Sequence, residues 1–216
     1  MNAAEAQAPH KRERRKQDRP GELLEAALDL FVEKGFAATR VEEVAARAGV
    51  SKGTLFLYFP SKEELFKAVI MENVARPVAE GMSEAESYEG GSGDLLEWMM
   101  LEWWRRYGAT KASGISKLMM SEAGNFPALA EFFRSSVIEP SHTLVRFILQ
   151  RGIDHGEFRP MNIPAVIHSV ISPLIFLVME KHAQGACGQN PHALLPETFL
   201  SNHADLLVRG LKPESP

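Results

Sequence analysis

The stretch TRVEEVAARAGVSKGTLFLYFPSK, residues 39–62, decides the fold of this chain of 216 residues. Its first half places four apolar residues at i, i+3, i+4 and i+7, which is the spacing of one buried face of an α-helix. These residues are Val41, Val44, Ala45 and Ala48. Thr39 and Glu42 have the spacing of a capping box at the start of this helix, and Gly49 permits the positive φ that ends it.

The second half of the stretch predicts another short helix. Ser51 is a favourable N-cap, and Pro60 stops the helix. Ser61 and Glu64 repeat the capping-box spacing for a third helix. Two short helices joined by a turn that contains Gly49 describe a helix-turn-helix, whose second helix enters the major groove of DNA.

A helix before this stretch completes a small three-helix domain. Pro20 suits its first turn, and Gly35 ends it. Its predicted buried stripe consists of Leu24, Ala27, Leu28 and Phe31. The predicted core of the domain consists of Phe36, Val41, Val44, Leu55 and Phe59.

The segment over residues 18–78 resembles the TetR/AcrR family of bacterial transcription regulators. The motifs LFVEKGF and ATRVEEVAARAGVSKGTLFLYFPSKEELF carry the resemblance, together with the chain length. It implies a helix-turn-helix DNA-binding domain followed by a helical body that binds a small-molecule effector. It also implies a homodimer that reads a palindromic operator in double-stranded DNA.

Residues at the starts of the three helices are predicted to contact DNA. Lys52 and Thr54 can donate hydrogen bonds to phosphate or base edges, and Gly53 lets the backbone approach the groove. The full set consists of Thr39, Arg40, Lys52, Gly53, Thr54, Tyr58 and Lys62. All of them except Arg40 match positions that commonly contact DNA in the resembled family. Phe56 and Leu57 depart from that family, which often has a tyrosine pair there.

The charge of the chain is segregated. The net charge of −4 and the pI near 6.0 do not indicate a nucleic-acid binder, but the N-terminal segment is basic. We predict a disordered basic arm over residues 1–17, which is either a solvated tail or a DNA contact. A single cysteine, Cys187, and an N-terminus without an apolar segment favour a cytoplasmic protein.

The remainder of the chain predicts further helices and no strand. We predict an all-α fold of about nine helices, with the DNA-binding domain over residues 18–78 and a ligand-binding and dimerisation domain over 79–216. Pro140 predicts a kink in a long helix. Polar residues and prolines interrupt the apolar run from Ile163 to Met179, so it fits a buried helix better than a membrane span.

The helical body contains residues suited to an adaptable apolar pocket. The predicted lining consists of Trp98, Met99, Trp103, Met119, Glu122, Phe132, His142, Arg146 and His168. Methionine and aromatic side chains suit a ligand that needs apolar contact, and the charged residues and histidines would place polar groups inside. The same residues would also form an ordinary filled core, and the sequence does not separate these two interpretations.

Two apolar stripes near the C-terminus predict a dimer interface. The first consists of Val166, Ile167, Val170, Ile171, Leu174, Ile175 and Val178, and the second of Leu200, Ala204, Leu207 and Leu211. Two such helices from each of two chains would form a four-helix interface, as in the resembled family. Burial within one chain is the alternative.

The sequence therefore predicts a DNA-binding transcription regulator, and most simply a repressor that a small molecule releases from its operator. A signal-independent or architectural DNA-binding protein with a filled core is the alternative. A metal enzyme is an alternative from another functional class. It is suggested by a cluster of possible ligands in the C-terminal region, namely Cys187, His182, His192 and His203. Their spacing matches no familiar zinc motif. No catalytic residue, metal or cofactor is predicted, and the sequence identifies neither the operator nor the effector.

Overall fold

The computed structural model describes residues 8–187 and 195–213. Within these ranges the chain is helical and has no strand, which confirms the predicted all-α fold. Two compact units are present, Met1–Val69 and Ile70–Pro216.

The first unit contains four helices. They are α1 (Ala8–Ala38), α2 (Val41–Arg47), α3 (Lys52–Tyr58) and α4 (Lys62–Ile70).

The second unit contains the remaining helices. They are α5 (Arg76–Glu86), α6 (Ser92–Trp103), α7 (Gly114–Glu122), α8 (Pro127–Phe133), α9 (Glu139–Asp154), α10 (Ile163–Cys187) and α11 (Pro196–Leu211). π-Helical turns at Met71–Ala75 and Arg134–Ile138 join α4 to α5 and α8 to α9, and a third, Trp104–Gly108, extends α6. The eleven segments thus form nine continuous helices in the described parts of the chain, as predicted.

Short-range signals fix the ends of the helices in the first unit. Gly35 interrupts α1 with φ 84° and Gly49 follows α2 with φ 66°, so both predicted helix ends are confirmed. The Ser51 hydroxyl accepts a hydrogen bond from the Thr54 amide at 3.1 Å, and Ser61 caps α4 in the same manner.

The buried stripe of α1 differs from the prediction. Leu23 and Leu30 are fully buried, whereas Leu24 and Leu28 are only half-buried. The run of apolar residues in α1 offers two neighbouring stripes, and only the helices packed against it decide which one is buried. Phe36, Val44 and Leu55 are core residues as predicted, while Val41 and Phe59 are half-buried at the edge. An aromatic cluster of Phe31, Phe36 and Phe66 fills the centre of the unit.

Two predicted boundaries also differ from the structure. Of the arm predicted over residues 1–17, residues 1–7 lie outside the described part of the chain and the backbone of residues 8–17 is helical, so Pro20 lies inside α1 instead of at its start. The division between the units falls at Val69 and Ile70 rather than at Val78. The reason is that Val74 and Val78, on the continuation of the helix that starts at Lys62, are buried in the second unit.

Two of the three π turns precede a proline, since Pro77 follows Met71–Ala75 and Pro140 follows Arg134–Ile138. A proline has no N–H to donate to the preceding turn, so the regular α-helical hydrogen-bond pattern is interrupted at both places. The predicted kink at Pro140 is thus a π turn just before it. Such turns are frequent at functional sites in helices.

The core of the second unit contains most of the residues that were predicted to form a dimer interface. Ile167, Val170, Leu174, Val178, Leu200, Ala204 and Leu211 are buried in a single chain. That part of the prediction is wrong, because α6, α7 and α9 cover these faces. By length and composition α10 would also suit a membrane, but its buried stripe packs in this core.

Candidate DNA interface and ligand cavity

The outer surface of α3 carries the side chains that are best placed to meet DNA. Lys52 and Gly53 are exposed, and a Cβ at Gly53 would touch only the Ser51 hydroxyl at 3.8 Å. Lys52 Nζ lies 2.6 Å from a carboxylate oxygen of Glu42 on α2, and this hydrogen bond lowers the pKa of Glu42. Because both groups are solvated, a phosphate can replace Glu42 as the partner of Lys52 at little cost.

Thr54 and Tyr58 lie on the same helix and are half-buried. The Thr54 hydroxyl lies 2.9 Å from the Ser51 hydroxyl, so the two side chains stabilise the start of α3 together. Sequence reasoning did not select Leu57 as a contact, yet 84% of its surface is exposed in the middle of the candidate recognition helix. Phe56 beside it is 38% exposed, and apolar side chains of this kind can contact the methyl group of thymine.

Thr39 and Lys62 were predicted to contact DNA, but their side chains point toward backbone carbonyl groups of the first unit. Thr39 is 2% exposed, and its hydroxyl donates to the carbonyl oxygens of Leu30 at 3.1 Å and Gly35 at 2.7 Å. Its hydroxyl therefore caps the end of α1 instead of the start of α2. The N-cap of α2 is Arg40, which is exposed, and its amide donates to Glu43 at 3.3 Å.

The Lys62 ammonium group is held by the backbone at the end of α1. It donates to the carbonyl oxygens of Phe36 at 2.8 Å, Ala37 at 3.3 Å and Thr39 at 3.2 Å. It also lies 4.5 Å from the centre of the Phe36 ring. All three donors of the ammonium are therefore occupied, and Lys62 closes the junction between α1 and α4.

A cavity of about 520 Å³ lies within the second unit. Its wall comes from α5 to α10 and from the three π turns, and most of it is apolar. The apolar lining includes Val78, Met99, Trp103, Met119, Phe133, Val137, Val145 and Ile171. A volume of this size is typical of small-molecule sites.

The structure places five of the nine predicted pocket residues in this wall. They are Trp98, Met99, Trp103, Met119 and His142. Glu122, Phe132, Arg146 and His168 do not line it, because each lies on another face of its helix; Arg146 and His168 are exposed. Ile171, Leu174 and Ile175, predicted for the dimer interface, line the cavity instead.

Sequence reasoning missed the charged part of the wall. Arg106 donates to both carboxylate oxygens of Glu84, at 2.8 and 3.0 Å, and pairs with Glu102 at 2.6 Å. The hydrogen bond to Glu84 is the main reason why the pKa of Arg106 is raised, while Arg105 is the main cause of the lowered pKa of Glu102. The side chains are partly exposed, so this cluster belongs to the solvated edge of the cavity.

A neutral polar pair lies deeper. The hydroxyl oxygens of Tyr107 and Ser116 are 2.6 Å apart, and these residues are only 3% and 7% exposed. Burial raises the pKa of Tyr107 to about 12, so the phenol stays neutral. Tyr107 follows Trp103 by one helical turn, and this spacing was the only signal in the sequence that could have predicted it.

His142 also lines the cavity, and its ring lies 5.7 Å from the ring of His168. Burial, followed by the nearby His168 and Arg146, lowers the pKa of His142, so it is neutral at physiological pH.

The described residues contain no group of three or more side chains able to hold a metal ion. Within them, His182 Nε2 lies 3.0 Å from the Ser113 hydroxyl, and His203 Nε2 lies 3.2 Å from the Ser169 carbonyl oxygen. His192 and the side chain of Cys187, which were part of the metal-enzyme alternative, lie outside the described residues.

Two family models match the chain. The bacterial regulatory proteins of the tetR family match residues 23–69, and the tetracyclin repressor-like C-terminal domain matches residues 91–184. The first range covers the helix-turn-helix, and the second covers α6 to α9 and most of α10.

Known proteins agree with these matches. The uncharacterized HTH-type transcriptional regulator YfiR of Bacillus subtilis is 31% identical over 159 residues, which is 70% of this chain and 74% of that protein. The fatty acid degradation regulator FadR of Bacillus halodurans has a similar fold, with a TM-score of 0.72 at 19% identity over 88% of this chain and 94% of its own. FadR of Bacillus subtilis, solved with stearoyl-CoA, gives a TM-score of 0.69 at 14% identity over 88% and 98%.

The all-α fold and the exposed helix α3 define the class of protein as a helix-turn-helix transcription regulator. The chain belongs to the TetR family, as the resemblance over residues 18–78 implied. It is a DNA-binding transcriptional regulator.

Proposed function

We propose that this protein is a cytoplasmic, dimeric repressor that leaves a palindromic operator when an apolar effector occupies the cavity of its second unit. The observation that carries the proposal is the cavity itself, because a volume of about 520 Å³ is what a filled core would lack. This favours the effector-responsive interpretation over the signal-independent alternative.

The proposed route from effector to DNA runs along one continuous helix. Lys62 begins α4, which continues through a π turn into α5, and Val74, Val78 and Gly81 of this continuation line the cavity. An effector that prefers one position of α5 shifts the equilibrium between two positions of α4. The resulting change in DNA affinity cannot exceed the ratio of the effector affinities for the two positions, and such coupling is ordinarily about 5- to 150-fold.

At the DNA, Lys52, Gly53, Thr54 and Tyr58 of α3 are proposed contacts, with Arg40 at the start of α2. Lys52 exchanges Glu42 for a phosphate, and Leu57 contacts a base edge. Two copies of α3 separated by about one turn of DNA, ~34–36 Å, would read a palindrome.

The proposed dimer uses the outward faces of α10 and α11. Phe176 is 66% exposed on α10 and Leu206 is 69% exposed on α11, so both helices offer an apolar side chain that a second copy could cover. Dimerisation is a property of the family, and these two residues are the part proposed for this chain.

The test is a selection of DNA sequences by the purified protein, followed by affinity measurements with and without an effector. Stearoyl-CoA, the ligand of the Bacillus subtilis neighbour, is the first probe. We expect a palindromic site whose affinity falls when stearoyl-CoA is added. Enrichment of a site that no acyl-CoA weakens would contradict release by this class of effector, and enrichment of no sequence would contradict operator recognition.

A further inference from the structure

The wall of the cavity contains charged groups, but each of them already has a partner of opposite charge. Arg106 is paired with Glu84 and Glu102, and Arg134 is paired with Glu131 and Glu139. Four of these charged residues line the cavity itself, namely Glu84, Glu102, Arg106 and Arg134. The two arginines of the lining face four carboxylates, so a ligand carboxylate that replaced one of these glutamates would leave it without its partner and add to an excess of negative charge.

The polar groups that remain in the wall are neutral. They are the buried pair Tyr107 and Ser116, the Ser141 hydroxyl, which donates to the Val137 carbonyl at 2.7 Å, and His142. Two hydroxyl groups carry two protons, and the hydrogen bond between Tyr107 and Ser116 uses only one of them. The pair thus keeps one O–H that can be donated to an oxygen of a ligand.

A charged group without a partner is very costly to bury, whereas a neutral oxygen that accepts one hydrogen bond is not. From these facts we infer that the cavity selects an apolar chain whose buried polar group is neutral, such as an ester, thioester or alcohol, and rejects the same chain ending in a carboxylate. Tyr107 and Ser116 are the residues that determine this specificity. The inference rests on the proposed function in one respect only, namely that the cavity binds a small molecule.

The test compares three ligands that share one apolar chain, namely methyl dodecanoate, dodecanol and dodecanoate. All three tryptophans of the protein lie within residues 98–104, and Trp98 and Trp103 line the cavity, so tryptophan fluorescence reports binding. We expect the ester and the alcohol to bind at least about 10-fold more tightly than the carboxylate at neutral pH.

Two variants test the residues. Tyr107→Phe keeps the ring and its contact with Trp103, at 5.4 Å between centroids, and should weaken the ester and the alcohol by about 2- to 10-fold, while the affinity for the carboxylate changes little. Ser116→Ala should act in the same direction. Tyr88→Phe is the matched control, because Tyr88 lies outside the cavity wall, and it should leave all three affinities unchanged.

Equal or tighter binding of dodecanoate would overturn the inference, and so would a failure of both neutral ligands to bind. A uniform loss for all three ligands in Tyr107→Phe would overturn the role given to its hydroxyl, because it would indicate damage to the cavity as a whole. The measurement contains no DNA, so it is independent of operator release. If the ester binds as expected but does not affect DNA affinity, the proposed function fails and this inference stands.

Discussion

The polar side chains inside the first unit and those beside the cavity of the second unit differ in their partners. In the first unit, Thr39 and Lys62 donate all of their hydrogen bonds to backbone carbonyls at the end of α1. In the second unit, the hydroxyls of Tyr107 and Ser116 are paired beside an open volume. The first unit therefore has a closed interior and carries its function on its surface. The second keeps its interior available for a ligand.

This comparison predicts that substitutions of buried residues affect the two units differently. A filled core tolerates no change in volume, whereas a wall beside a cavity has room for added atoms. Four predictions test the difference, from the largest effect to the smallest.

The closed core of the first unit should be the most sensitive site. Phe36 is 1% exposed and packs against Phe31 and Phe66 at 5.7 and 5.2 Å between ring centroids. Phe36→Ala should lower the free energy of unfolding of this unit by about 3–5 kcal/mol and abolish DNA binding. Urea unfolding followed by circular dichroism measures the loss.

Tryptophan fluorescence supplies the control, because the tryptophans lie only in the second unit. The fluorescence transition of Phe36→Ala should stay at the wild-type urea concentration. A transition that moves as far as the circular dichroism signal would show that the two units do not unfold separately, and the comparison would then fail.

The role of Lys62 separates a structural residue from a DNA contact. Lys62→Ala should destabilise the first unit by about 1.5–3 kcal/mol, because three carbonyl oxygens lose a charged donor. The slope of log affinity against log salt should not change. Lys52→Ala is the matched opposite: stability should stay within about 0.5 kcal/mol, and the slope should fall by about 1 per protomer. If Lys62→Ala lowered the slope of log affinity against log salt, Lys62 would be a phosphate contact after all.

Two glycines test the open and the filled parts of the second unit. A Cβ at Gly81, in the cavity wall, would meet Leu144 Cδ2 at an ordinary 3.5 Å. Gly81→Ala should therefore stabilise the unit by about 0.5–1 kcal/mol, because alanine is the better helix former. At Gly152 a Cβ would collide with the Phe158 ring, and Gly152→Ala should destabilise the unit by about 1–3 kcal/mol. Thermal unfolding measures the stability of both variants. A lower stability of Gly81→Ala would mean that the residues around Gly81 cannot move to make room for the added methyl group.

The smallest expected effect is that of acid on the cavity wall. The pKa of His142 is lowered in the folded state, so the unfolded chain binds its proton first. The contribution of His142 to stability is complete above the unfolded pKa of about 6.5 and is lost as the pH falls toward the lower folded pKa. His142→Asn should flatten the pH dependence of stability below that value. An unchanged pH profile would indicate that other groups, such as His182, cause it.

The helix ends of the first unit could be predicted because the signals are local. Gly35, Gly49 and Ser51 each act on backbone within a few residues of themselves, so their effect does not depend on the rest of the fold. The role of Lys62 could not be predicted in this way, since its partners lie 23 to 26 residues earlier in the chain. A basic residue at the start of a helix looks the same in the sequence whether it meets a phosphate or a carbonyl.

The candidate ligand site was predicted in composition and missed in its chemistry. Trp98, Met99 and Met119 were identified because apolar residues at helical spacing must lie inside. The Tyr107 and Ser116 pair and the Arg106 cluster were missed, because hydrogen bonds and ion pairs between helices leave no periodic signal. The stripe through Ile171 and Leu174 was assigned to a partner chain for a similar reason, since periodicity shows that a face is buried but not what covers it.

By itself, then, the sequence determined the all-α class, the helix-turn-helix and the family, because these follow from spacing and capping rules that act along a few turns of backbone. Only the tertiary structure decided which apolar faces meet, where about 520 Å³ stays open, and which charges are already paired. These are properties of residues brought together from distant parts of the chain, and packing, not local propensity, fixes them.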